Sequence, residues 1–162
     1  MDHAGSILSR IGKTQLQAFP TAMHIAAVLE LEQHVLPQAE ALAVAIEAKA
    51  NEWHDIVKTG RTHLQDAVPL TVGQEWSGYG QQMRDAIAGI RSAEGGLHQR
   101  AAGGTAVGTG LNAPPNFSRE IASKIAELTG YPFVTAPNRF AAQGSLDAMV
   151  AAMGRCEDLR SH

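Results

Sequence analysis

Apolar side chains recur in steps of three and four along two long stretches of the chain, and stretches rich in glycine, proline and polar residues separate them. In the first stretch the apolar positions are Ile25, Val28, Leu29, Val35, Leu36, Ala39, Leu42, Ala43, Ile46, Ala50, Trp53 and Val57. That rhythm puts them on one side of a helix, so a helix is expected from about Pro20 to Val57. Pro20 suits a first turn, where its missing N–H has no partner to lose. Pro37 removes an interior backbone bond and predicts a bend. The second stretch, from about Thr71 to Arg100, carries Trp76, Tyr79, Met83, Ile87, Ile90, Ala93 and Leu97 in the same rhythm. Thr71 is placed to cap it, with Gln74 three residues on in capping-box register. Gly78, Gly80, Gly89, Gly95 and Gly96 weaken this helix by about 1 kcal/mol each relative to alanine, which predicts close approach by a neighbouring helix. Long amphipathic helices owe their stability to packing, so both need neighbours.

The rest of the pattern is shorter. Pro114 and Pro115 block a helix, and a helix then fits from Ser118 to Leu128, started by Asn116 or Ser118 and closed by Gly130. Tyr131 to Phe140, with Pro132 and Pro137, reads as an extended connection. Gly144 to Arg160 predicts a last helix with Leu146, Met149, Val150, Met153 and Leu159 on one side. Residues 1–18 sustain no period. The expected fold class is all-α: long antiparallel helices with almost no strand.

Composition narrows the class. The 162 residues suit one domain with a modest core, and 44% hydrophobic with 18% charged residues mark an ordinary folded protein. A net charge of −3 argues against nucleic acid, which needs a basic face. One cysteine, Cys156, excludes an internal disulfide and suits a reducing compartment. No apolar run approaches the ~18 residues of a membrane span, and no basic stretch with an apolar core opens the chain. A cytoplasmic protein without membrane contact is expected.

Candidate chemistry lies between Gly60 and Asn112. The first loop, Gly60-Arg61-Thr62-His63-Leu64-Gln65-Asp66, holds a histidine able to move a proton near neutrality, a hydroxyl at Thr62, and a guanidinium fork at Arg61. Asp66, Gln74 and Glu75 are near enough in sequence to orient the imidazole. Read from these residues alone, His63 is more often a surface or capping histidine than a proton carrier. His24, His34 and His54 read as helix-surface residues, and no metal-ligand cluster is visible. The second loop, Gly103-Gly104-Thr105-Ala106-Val107-Gly108-Thr109-Gly110-Leu111-Asn112, is too glycine-dense for a helix interior and lets backbone amides face an anion. It fits neither a dinucleotide fingerprint, lacking a preceding strand, nor a P-loop, lacking lysine. A plain helix-to-helix connection is the other reading.

Gly60 to Glu75 and Ala101 to Asn112 resemble the two upstream motifs of class II fumarases, in the fumarase/aspartase lyase superfamily. Phe19-Pro20-Thr21-Ala22-Met23-His24-Ile25 and Phe133-Val134-Thr135-Ala136-Pro137-Asn138-Arg139-Phe140 resemble that family's flanking segments. The resemblance covers Phe19 to Asp147, so the chain divides into a divergent segment, 1–18, and a partial central helical domain, 19–162. It implies a fumarase/aspartase-type helical bundle, a homotetramer, and active sites shared between subunits. The implied reaction is the reversible hydration of fumarate to L-malate, a tricarboxylic acid cycle step, with a small dicarboxylate as partner and no cofactor or metal. His63 is the implied catalytic residue and Thr62 the implied substrate contact. Gly103, Gly104, Thr105, Gly108 and Asn112 are implied to shape the site, and Asn138 to lie near the glycine loop in a structural hydrogen-bonding role.

Two departures accompany the resemblance. The family's Gly-Ser-Ser-x-Met-Pro-x-Lys-x-Asn motif, expected downstream of Asp147, is not among these 162 residues. Where a Ser-Ser-Asn-Asp segment is expected before Phe19 stand Thr14, Gln15, Leu16 and Gln17. The alternative is therefore a catalytically incomplete fragment, or a non-catalytic helical interaction protein derived from the same lyases.

Overall fold

The computed structural model describes residues 18–105 and 107–161. Residues 1–17, including Thr14 to Gln17, lie outside the described residues. Helix α1 covers 18–30, a π turn follows at Leu31–Val35, and α2 runs Leu36–Glu52. Pro37 has no N–H and its ring crowds the carbonyl of Gln33, and the widened turn just upstream takes up that mismatch. The helix stops five residues before Val57, the last position of the expected stripe. Val57 instead begins a strand.

Strands β1 (Val57–Thr62) and β2 (Gln65–Thr71) form an antiparallel hairpin. This segment, expected as a loop, is paired instead; Gly60 and Pro69 interrupt any alternation and no Asn-Gly or Asp-Gly marks the turn. Helix α3 follows at Val72–Leu97, then β3 (Gln99–Arg100), the glycine loop, α4 (Phe117–Thr129), β4 (Val134–Thr135), α5 (Arg139–Gly144) and α6 (Asp147–Asp158). The all-α class holds, with β1–β2 and the short parallel pair β3–β4 as its only sheets among the described residues.

The chain splits into two compact units, one of Glu32–Ser92 with Gly154–His162, the other of Ala93–Met153 with the residues up to Leu31. In the first unit, Leu36, Ala39 and Ala43 of α2 are buried, as are Met83, Ala86, Ile87 and Ile90 of α3. Arg84 donates to Glu40 and to Glu47, the latter at 2.7 and 2.8 Å. Trp53 meets Trp76 edge-on with ring centroids 4.8 Å apart. Partners fall along α3 as numbers rise along α2, so the two helices run antiparallel, as expected. Glu47 lies below the ordinary carboxylate range because Arg84 hydrogen-bonds it.

α3 starts as its sequence predicts. Gln74 N–H donates to Thr71 Oγ1 at 3.1 Å, and Thr71 N–H donates to Gln74 Oε1 at 2.9 Å, a reciprocal capping box. The glycine expectation holds in part. A Cβ at Gly80, Gly89 or Gly96 would touch Glu47, Arg155 or Ala148, whereas Gly78 and Gly95 face open space.

In the second unit, Val28, Leu31, Leu97, Ala122, Phe133 and Ala136 are buried. β3 and β4 are joined by Val134 N–H to His98 O and Ala136 N–H to Arg100 O, at 2.9 and 2.8 Å. α4 ends at Gly130 as expected, with φ +79°. It begins one residue early, at Phe117, and Asn116 takes the cap position without a side-chain bond. The apolar side expected from Gly144 to Arg160 is largely exposed: Leu146, just before α6, and Val150 and Met153 on it face outward while Ala152 is buried.

Candidate active site

The β1–β2 hairpin positions Thr62 and His63. Strand pairing runs Val57 with Thr71, Lys58 with Leu70 and Thr59 with Pro69, then slips by one residue to Arg61 with Asp66 and Thr62 with Gln65. His63 and Leu64 are left as the turn, with φ +50° and +63°. Two positive φ values match the twist of a tight hairpin, yet neither residue is glycine or asparagine. Each left-handed residue costs about 1–2 kcal/mol, strain of the kind found at functional sites. Both side chains are exposed. Thr62 closes the strand beside them, so hydroxyl and imidazole share the hairpin tip.

None of the three residues proposed to orient the imidazole does so among the bonds described. Asp66 accepts from Arg61 Nε at 3.1 Å, which also occupies the guanidinium considered for a substrate carboxylate. Gln74 belongs to the α3 cap. Glu75 accepts from Lys58 Nζ at 2.9 and 2.7 Å, tying β1 to the first turn of α3. No sequence signal singled out Lys58, because nothing local links it to a partner 17 residues away.

The glycine loop belongs to the other unit. Gly103, Gly108 and Gly110 have positive φ, and so do Thr105 and Asn112. Its amides are largely turned inward: Gly104 N–H donates to Ala101 O, and Gly108 and Gly110 N–H both donate to Gly104 O, at 3.0 and 2.8 Å. Those three donors are therefore committed to the loop's own shape. Gln143 Nε2 reaches Thr105 O at 3.4 Å, and the Phe140 ring packs on Gly108. Asn138 caps α5, its Oδ1 accepting from Phe140 N and Ala141 N at 3.0 and 3.1 Å. Its role is structural, as expected.

Beside this loop lies a cavity of about 380 Å³ lined by Gly103, Thr109, Gly110, Ser118, Arg119 and Arg139, among others. Arg139 Nη1 donates to Ser118 Oγ at 2.9 Å. Arg139 stands in a motif-bearing segment, but its place on a cavity wall had no signal in the sequence. His24 departs from its surface reading: it is 5% exposed, and its Nδ1 lies 2.7 Å from Pro20 O. Burial pushes its pKa down from the ordinary value. His34 and His54 are exposed, as expected. Among the described residues no group of three His, Cys, Asp or Glu could hold a metal, and no helix is long and apolar enough to cross a membrane.

A family profile described as lyase matches residues 10–162. The chain belongs to this lyase family. A class II fumarate hydratase of Methanosarcina acetivorans is 63% identical over 134 residues, which is 83% of this chain and 28% of that protein. The mitochondrial fumarate hydratase of Homo sapiens is 54% identical over 136 residues, 84% of this chain and 27% of that one. Among solved structures, the class II fumarase of Schistosoma mansoni matches with a TM-score of 0.87 and 36% identity, covering 93% of this chain and 34% of that one. The lyase chain thus spans about a third of the length of the relatives it matches. Its sequence resemblance to class II fumarases and its helical-bundle fold both hold.

Proposed function

We propose that this lyase chain contributes the threonine–histidine tip and the glycine loop to fumarate hydratase active sites shared between subunits. The carrying observation is the hairpin tip itself, where Thr62 closes β1 beside the exposed His63 of a strained two-residue turn. The fumarate hydratase names of the relatives supply the substrate class, a small dicarboxylate.

In this reading fumarate adds water to give L-malate, and the reverse step removes a proton beside one carboxylate while hydroxide leaves the adjacent carbon. Negative charge gathers on a substrate that already carries two carboxylates, so prepositioned donors matter most. Thr62 Oγ1 donates to the substrate, and His63 passes a proton through a water. The glycine loop acts through its shape, its Gly104, Gly108 and Gly110 amides being internally bonded. The site is completed by other subunits of a homotetramer. The compartment in this reading is the cytoplasm.

A second reading, a helical protein that keeps the fold without turnover, is favoured by Leu16, where the resemblance expects a polar substrate contact. The test is fumarate hydration followed through loss of the substrate's conjugated absorbance. Turnover by the purified protein that His63→Asn lowers by about 10²–10⁴-fold, with the melting curve unchanged, supports the first reading. Turnover unaltered in His63→Asn removes that residue from the mechanism. A folded parent without turnover favours the second reading.

A further inference from the structure

Arg100, in β3, is 3% exposed, and its guanidinium makes one described hydrogen bond, from Nη2 to Gly96 O at 3.1 Å. Its Nε is buried without a hydrogen-bond partner, and no ion pair among the described residues includes Arg100. Burial lowers its pKa to about 10, so the side chain still carries its charge at neutral pH. A buried charge of this kind is costly unless an opposite charge and hydrogen bonds compensate it.

Among the described residues that line its surroundings, no carboxylate is found. Arg100 borders a narrow cavity of about 10 Å³, with Pro20, Thr21 and His24 from α1 and Ala142 and Gln143 from α5 on its other sides. None of these carries negative charge. His24 is itself disfavoured as a cation, through burial first and through Arg100's charge as a lesser cause. The space admits one small particle. The lining offers an anion two donors, a guanidinium N–H in need of an acceptor and a threonine hydroxyl.

We propose that the Arg100 cavity is a binding site for a single small inorganic anion of halide size. The anion neutralises the guanidinium and accepts from Nε, and it ties α1 to β3 and α5. Because it binds the folded chain, it stabilises that chain in proportion to its occupancy.

Bromide is the probe. Crystals grown with sodium bromide are expected to show an anomalous peak within hydrogen-bonding reach of Arg100 Nε, and a water there without anomalous signal would overturn the proposal. In solution, melting in sodium chloride against sodium gluconate at equal ionic strength is expected to differ by about 3 °C at an anion level ten times its dissociation constant. Arg100→Met abolishes that difference, whereas His63→Asn keeps it. A chloride effect that survives in Arg100→Met would count against the site. Should Arg100→Met fail to fold, the bromide peak in the parent protein decides alone.

Discussion

Lys58 Nζ grips both carboxylate oxygens of Glu75, at 2.9 and 2.7 Å, and so fastens the first strand of the hairpin to the first turn of α3. The bond spans the base of the hairpin whose tip carries His63, so it constrains the angle at which that tip leaves the helix. Both side chains are about a third exposed, which limits the pair's worth to about 0.2–1 kcal/mol. Glu75→Gln is therefore expected to lower stability by that small amount while loosening the hairpin more than the helices. Hydrogen exchange is the measurement. Amides of β1 and β2 should exchange faster in the variant with α3 protection retained, and unchanged hairpin exchange would show that the strand pairing alone sets the tip.

Gly73 marks a close approach between the end of α2 and the start of α3. Its N–H donates to Trp53 O at 3.0 Å, and a Cβ there would lie 2.4 Å from Ala50 O and 2.7 Å from His54 Cα. Those neighbours are backbone and cannot rotate aside. Gly73→Ala is expected to cost about 1–3 kcal/mol or more, a fall in melting temperature of several degrees. Gly78→Ala, where nothing lies within 4 Å, serves as the comparison and is expected to gain a little through helix propensity. Equal effects at the two positions would mean that the close approach carries no energetic weight.

These two positions also show what the sequence could and could not disclose. The spacing of Met83, Ile87, Ile90 and Leu97 announced a helix with a buried side, and the Thr71–Gln74 pair announced where it starts, because both signals are local. The hairpin escaped notice because Gly60 and Pro69 break the alternation of its strands and its turn is His63-Leu64, a pair that tolerates left-handed geometry only under strain. Glycine identity alone did not separate Gly73 and Gly80 from Gly78 and Gly95, since the difference lies in which side of α3 meets a neighbour. The roles proposed for Thr62 and His63 come from the resemblance. Their setting was not legible, because Asp66, Gln74 and Glu75 proved to be engaged with Arg61, Thr71 and Lys58.

His24 supplies a pH dependence whose sign is fixed by its burial. Its folded pKa lies below the ordinary histidine value of 6.5, so the unfolded chain binds the proton more readily. Stability from this group is present above about pH 6.5 and is lost as pH falls toward the folded pKa. The melting temperature of the parent protein should decline over that window, and His24→Gln should flatten the decline while lowering stability near neutrality. A parallel decline in both proteins would assign the acid sensitivity to other groups.

Gly108 combines two constraints that a double-variant cycle can separate. Its φ of +97° is outside the range a side-chain-bearing residue adopts at low cost, and a Cβ would come within 3.1–3.3 Å of the Phe140 ring. Gly108→Ala is expected to cost about 1–2 kcal/mol from the backbone and a further amount from the ring contact. Phe140 is itself 60% exposed, so Phe140→Ala removes the ring at modest expense. Placing both changes together should recover the steric part and leave the backbone part, giving a coupling of about 0.5 kcal/mol or more between neighbours in contact. Strict additivity would mean that the ring moves aside freely, and the loop's shape would then rest on its glycine φ values and its inward amide bonds alone.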